Sequence, residues 1–128
     1  MTDIGVDYGR GRTGFAASRS GVVLPLDPLL RTTWEGIVKR LRDIQELSGE
    51  GTVVLGLPLS ASGRPTDLSR EVEELALYLK GKGFSVELVG ETGSSLEAGR
   101  TLGRTGERDG RDDSMAAMII LKRYLGLP

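Results

Sequence analysis

The opening residues alternate: Ile4, Val6 and Tyr8 fall on one face of an extended chain, Gly5 and Asp7 on the other. That pattern predicts a strand over 3–8 running into a glycine-rich turn, where Gly9, Gly11 and Gly14 allow sharp bends or close approach of a ligand. A second strand is expected over about 12–18 and a third over 21–26, ended by Pro25 and Pro28. The spacing then changes. Thr32 and Glu35 have capping-box spacing, and Trp34, Ile37, Val38, Leu41 and Ile44 recur at helical intervals until Gly49. Trp34 is expected as a core-facing anchor of this helix. The apolar run 52–57 predicts a strand covered on both faces.

After a small-residue loop over 59–65, Leu68, Val72, Leu75, Ala76 and Leu79 predict a second helix stopping near Gly81 and Gly83. A short strand follows over 84–89. Ser94 with Glu97 suggests a second capping box opening a short helix over 96–102. Residues 103–111 hold three Gly, three Arg and two acids without an aliphatic residue, and are expected to form a mobile loop. The last helix is expected from about Asp113 to Leu125. Three strands followed by strands alternating with helices predict an α/β fold with a mixed sheet, one domain over residues 1–128.

Composition narrows the chemistry. The chain has no Cys and no His, which removes disulfides, thiolate nucleophiles, zinc–thiolate sites and the commonest general base. Any hydrolysis must rest on carboxylates, hydroxyls, Lys or a metal held by oxygen ligands. Seventeen basic against eighteen acidic residues leave a formal charge of −1, so nucleic acid would have to be held by local patches rather than bulk charge. No basic segment precedes an apolar stretch at the start, and no run reaches membrane-spanning length. A cytoplasmic protein without membrane contact is expected.

Three carboxylates stand in informative places. Asp7 ends the first strand, Glu91 lies just past the 86–89 strand, and Asp113 heads the last helix in line with Ala117, Ile120 and Tyr124. Asp112 could serve as the helix cap, leaving Asp113 to point inward. Each acid could be structural, as a turn or helix cap. Together, in a chain without His or Cys, they favour a Mg2+ or Mn2+ site of oxygen ligands. Clustered carboxylates repel one another, and a divalent cation resolves that conflict while activating water at a phosphodiester. Asp7, on the expected central strand, is the expected bridging ligand.

These residues, in this order, resemble the YqgF/RuvX family of RNase H-like nucleases. The family's opening G-[IV]-D-Y-G-x-x-R-x-G is matched by Gly5, Val6, Asp7, Tyr8, Gly9, Arg12 and Gly14. Its V-x-G-L-P-L strand and loop is matched by Val54, Gly56, Leu57, Pro58 and Leu59, with Gly63 following. Its aspartate opening an Ala-rich final helix is matched by Asp113 through Leu121. Where the family has Asp-Glu-Arg, a hydrophobic residue and two Thr, this chain has Gly90-Glu91-Thr92-Gly93-Ser94-Ser95, and Ser60 replaces an Asn.

The resemblance implies an RNase H-like fold, a five-stranded mixed sheet with its first three strands antiparallel and helices on both faces. It implies a metal-dependent nuclease, with Asp7, Glu91 and Asp113 as catalytic metal ligands, that trims the 5′ end of pre-16S rRNA. A Holliday junction resolvase acting on branched DNA is the alternative, and the Gly90 and Thr92 departures leave room for a weakened binding module of the same fold. An actin-like kinase also begins with a strand, an Asp and a glycine turn, but needs two such lobes and more than twice this length. Either a monomer or a homodimer suits the nuclease, the dimer fitting a two-strand resolvase. Arg10, Arg12, Arg104, Arg108 and Arg111 flank the acids in sequence and are expected to form a basic rim contacting phosphates. Two Phe, three Tyr and one Trp are too few for a base-stacking platform, so neither Tyr8 nor Trp34 is expected to stack on bases.

Overall fold

The computed structural model describes residues 1–92 and 110–128, the side chains of Thr92 and residues 110–113 excepted. The described residues form, in order, β1 (Asp3–Asp7), β2 (Thr13–Arg19), β3 (Val22–Leu29), α1 (Trp34–Ser48), β4 (Thr52–Leu59), α2 (Asp67–Gly81), β5 (Ser85–Thr92) and α3 (Gly110–Leu125). The strands form one sheet in the order β3-β2-β1-β4-β5. β1, β2 and β3 pair antiparallel, whereas β4 joins β1 and β5 joins β4 in parallel. The mixed five-stranded sheet expected from sequence is therefore present, with β1 at its centre.

Each sheet face buries its own cluster. Ile4, Val6, Phe15, Val53, Leu55 and Val86 pack with Ile37, Leu41 and Ile44 of α1 and Val72, Leu75 and Leu79 of α2. Ala16, Val23 and Val54 pack on the other side with Ala117, Ile120 and Leu121 of α3. β4 thus feeds both cores, as its unbroken apolar run predicts. Each such Leu or Ile contributes roughly 1.5–3 kcal/mol by leaving water.

Four boundaries differ from the sequence reading. β3 continues through Pro25 and Pro28 to Leu29; it is an edge strand, where a missing N–H goes unmissed by any outer neighbour. α1 is capped by Thr33, whose hydroxyl accepts from the Gly36 amide at 2.9 Å, not by Thr32. The Thr32 hydroxyl is instead 2.8 Å from that of Thr13. Glu91 lies within β5, opposite Pro58, because β4 and β5 stay paired as far as Leu59 and Thr92. α3 begins at Gly110, so Asp112 and Asp113 are inside its first turn, and residues 110 and 111 are helical rather than loop. The expected helix over 96–102 and the remainder of the 103–111 loop lie outside the described residues.

Candidate active site

The parallel ladders have unequal lengths, and the difference shapes the site. Pairing of β1 with β4 ends at Val6 and Leu55, whereas β4 and β5 remain paired to their ends. Beyond Val6 the central strand parts from β4, and Asp7 is the first residue past that point. In open α/β sheets a ligand crevice forms at the carboxyl ends of strands where neighbours part. Asp7 shares the face of Gly5, opposite Ile4 and Val6, so it is directed to the α3 side. It is half-buried and its side chain is engaged within the fold.

α3 is pressed against this part of the sheet. A Cβ on Gly5 would lie 2.5 Å from the Ala117 carbonyl oxygen and 2.8 Å from Leu121 Cβ. A Cβ on Gly56 would lie 2.4 Å from Ile120 Cδ1. Real atoms do not approach so closely, so glycine at both places lets the helix backbone sit directly on β1 and β4. The Ser114 hydroxyl ties the helix to β3, donating to the Leu26 carbonyl at 2.5 Å.

Glu91 reaches the same face from β5. It stands two residues past Val89, which packs into the α3 core, and strand alternation puts both on one side. Its side chain is fully buried, and Arg123 Nε of α3 lies 3.0 Å from Oε1. That approach is an ion pair without hydrogen-bond geometry, and neither Glu91 oxygen meets a hydrogen-bond donor among the described residues. Burial pushes the Glu91 carboxyl above its ordinary pKa, and the Arg123 charge opposes the shift.

Asp113 is the fourth residue of α3 and precedes Ala117 by one turn, so its backbone position continues the sheet-facing row. The row runs through Ala117, Ile120 and Leu121, whereas Tyr124, expected on it, is 40% exposed. The structure therefore brings Asp7 and Glu91 to one face and α3 over them. Among the described side chains no three acids group closely enough to hold a metal; that of Asp113 lies outside this set.

The turn after β1 is tied from two sides. Tyr8 is buried and its hydroxyl donates to the Glu71 carboxylate of α2. Trp34 Nε1 of α1 donates to the same hydroxyl at 3.3 Å, and Arg10 Nε is paired with Glu71 Oε1 at 3.1 Å. The Tyr8 hydrogen bond holds the Glu71 carboxyl below its usual value; burial opposes this and Arg10 assists it. Burial first, then Glu71, raises the Tyr8 phenol. Trp34 packs on the core with its ring 5.2 Å from Tyr78, so both aromatics are occupied inside the fold as expected.

Of the expected basic rim, Arg10 is exposed and paired with Glu71, while Arg12 is half-buried and engaged. Arg104 and Arg108 lie outside the described residues, as does the Arg111 side chain. Sequence reasoning passed over Glu71 and Arg123. Arg123 stands three residues after Ile120, a cation beside an apolar helical row. That signal is visible in sequence but unremarkable without its buried partner.

The profile of the RuvX family, described as a Holliday junction resolvase, matches residues 1–126. The chain belongs to the RuvX family. Among the RuvX relatives, a protein of Oleidesulfovibrio alaskensis named as a candidate pre-16S rRNA nuclease is 34% identical over 100% of this chain and 94% of its own length. One from Prochlorococcus marinus, named in the same way, is 38% identical over 95% of this chain and 78% of its own.

Solved structures agree on the fold. The large terminase nuclease of thermophilic phage G20c superposes with a TM-score of 0.61 at 19% identity, over 96% of this chain and 80% of that one. Thermus thermophilus RuvC, solved with a Holliday junction, gives 0.56 at 12% identity, over 98% and 96%. This RuvX chain thus has the RNase H-like fold and belongs to a family of nucleases, hydrolases of phosphodiester bonds.

Proposed function

We propose that this RuvX protein is a divalent-metal-dependent nuclease that trims the 5′ end of pre-16S rRNA in the cytoplasm during ribosome biogenesis. The observation that carries the metal is Glu91: a fully buried carboxylate, facing the same side as Asp7, with no hydrogen-bond donor among the described residues. Such a group calls for cationic charge and for ligation of its oxygens; Arg123 brings charge to one oxygen without hydrogen-bond geometry, and a metal would supply both. The donor set is all oxygen in a chain without His or Cys, which suits Mg2+ or Mn2+.

Asp7, Glu91 and Asp113 would hold the cation, Asp7 from the central strand. When bound, the metal supplies Lewis acidity and an activated water for attack on phosphorus. The protein's own part is positional. β1 and β5 offer carboxylates from strands the ladder keeps parallel, and α3 closes over them to exclude bulk water. The family names of the relatives favour the ribosomal precursor, whereas the profile description favours branched DNA as the second reading.

The test is depletion of the protein in its source cell with mapping of 16S rRNA ends, paired with cleavage assays on a 5′-extended 16S precursor and a four-way DNA junction in Mn2+. We expect the extended precursor to accumulate and to be the better substrate. Normal rRNA ends with efficient junction cutting overturn the ribosomal role in favour of the resolvase. Metal-independent binding without cleavage of either substrate identifies a non-catalytic module.

A further inference from the structure

Beneath α3 lies an ion pair that the nuclease reading leaves unused. Arg123 Nε is 3.0 Å from Glu91 Oε1, and the two sides of the pair are unequal: the carboxylate side chain is fully buried, whereas the arginine side chain is 43% exposed. The contact also lacks hydrogen-bond geometry. A carboxylate removed from water needs compensating charge, and here that charge arrives on a long side chain rooted near the surface of the last helical turn. A bidentate, hydrogen-bonded arginine would be hard to withdraw. Toward Glu91 this one is held by charge alone, and Arg123 keeps a further interaction elsewhere in the fold.

We propose that Arg123 is the exchangeable counter-ion of Glu91, neutralising the buried carboxylate in the metal-free fold and withdrawing when a divalent cation takes its place. The proposal rests on the metal site argued above. Arginine and metal are both cations directed at one carboxylate, and in a buried site their mutual repulsion makes occupancy by one oppose the other. Arg123 is accordingly a positioning residue, touching neither substrate nor scissile bond. It spares the free protein an uncompensated acid and sets how strongly the site takes up metal. An arginine that merely oriented Glu91 for the metal would have the opposite effect on affinity.

The two roles separate by measurement. Mn2+ binding is followed through the electron paramagnetic resonance signal of free Mn2+, and metal-free melting by scanning calorimetry. The proteins are the unaltered chain, Arg123→Gln, Arg123→Lys, Glu91→Gln and the Arg123→Gln/Glu91→Gln double variant. Arg123→Gln should lower the metal-free Tm by on the order of 4 °C and tighten Mn2+ about fivefold to tenfold. Arg123→Lys keeps the charge and should stay within about twofold of the unaltered affinity. In the Glu91→Gln background, Arg123→Gln should change both quantities by less than it does beside Glu91, the remainder belonging to the further interaction of Arg123.

Mn2+ binding by the unaltered chain that Arg123→Gln leaves equal or weakens overturns the counter-ion role alone. An unchanged metal-free Tm, or an effect that persists undiminished without the Glu91 charge, does the same. No Mn2+ binding by the unaltered chain overturns the metal site itself, and the counter-ion role with it.

Discussion

Asp7 is the residue on which the proposed chemistry turns, and its replacement separates catalysis from folding. Asp7→Asn should abolish cleavage in Mg2+ or Mn2+ while the metal-free Tm holds level or rises, because one like charge leaves the proposed acid site. The stabilisation on adding Mn2+ should shrink at the same time. A structural Asp7 would instead lose stability and lose activity only in proportion to unfolding. Glu71 gives a second residue-scale test, in pH. Its folded-state pKa is lowered, first by the Tyr8 hydrogen bond, so the folded protein favours the charged form. That contribution is complete above the unfolded carboxyl value of about 4.3 and is lost as pH falls through the lower folded value. Glu71→Gln should therefore melt below the unaltered protein at pH 7, with the gap closing in melts taken below about pH 4.

At the scale of elements, the seat of α3 on the sheet is the vulnerable contact. Gly5 lies under the Ala117 carbonyl, and a methyl there would need 2.5 Å where no such contact exists. The Ala117 oxygen is backbone and cannot rotate away, so the helix must lift. Gly5→Ala should cost about 1–3 kcal/mol in denaturant titration. It should also cut activity beyond what the unfolded fraction explains, because the lifted helix carries Asp113. A variant that melts lower yet cleaves normally would show that α3 does not need this seat to complete the site. The helix itself was legible from its apolar row. Its start was not: glycine at 110 and paired acids at 112 and 113 resemble a cap, whereas the helix begins before them. The α1 cap slipped by one residue for a related reason, since adjacent Thr32 and Thr33 offer the same hydroxyl. Only the partner across the fold, Thr13, draws Thr32 elsewhere.

Across the whole molecule, a formal charge of −1 means that nucleic-acid affinity has to come from local basic patches, and the arginines that flank the acids in sequence are the proposed one. Replacing Arg10, Arg12, Arg104, Arg108 and Arg111 one at a time by Ser should each lower the slope of log affinity against log salt by roughly one. Arg10 should show less than a full unit, because its charge is already shared with Glu71. Filter-binding or fluorescence titrations across a salt series give the slopes, and an unchanged slope for all five removes the rim.

The sequence by itself determined the class of chemistry and the order of the elements. Absent His and Cys leave only oxygen ligands, and apolar periods of 2 and 3.6 are local properties that need no neighbour to be read. The tertiary structure decided which strand lies where in the sheet, and so which residues meet. Tyr8 and Glu71 are joined across 63 positions of chain, and Glu91 meets Arg123 only because β5 and the end of α3 converge. No local pattern encodes such pairs; they follow from the parallel crossover of β1, β4 and β5 and from a helix laid on two glycines. Pro25 and Pro28 make the same point, since whether proline ends a strand depends on whether another strand lies beyond it, and among the described residues none lies beyond β3.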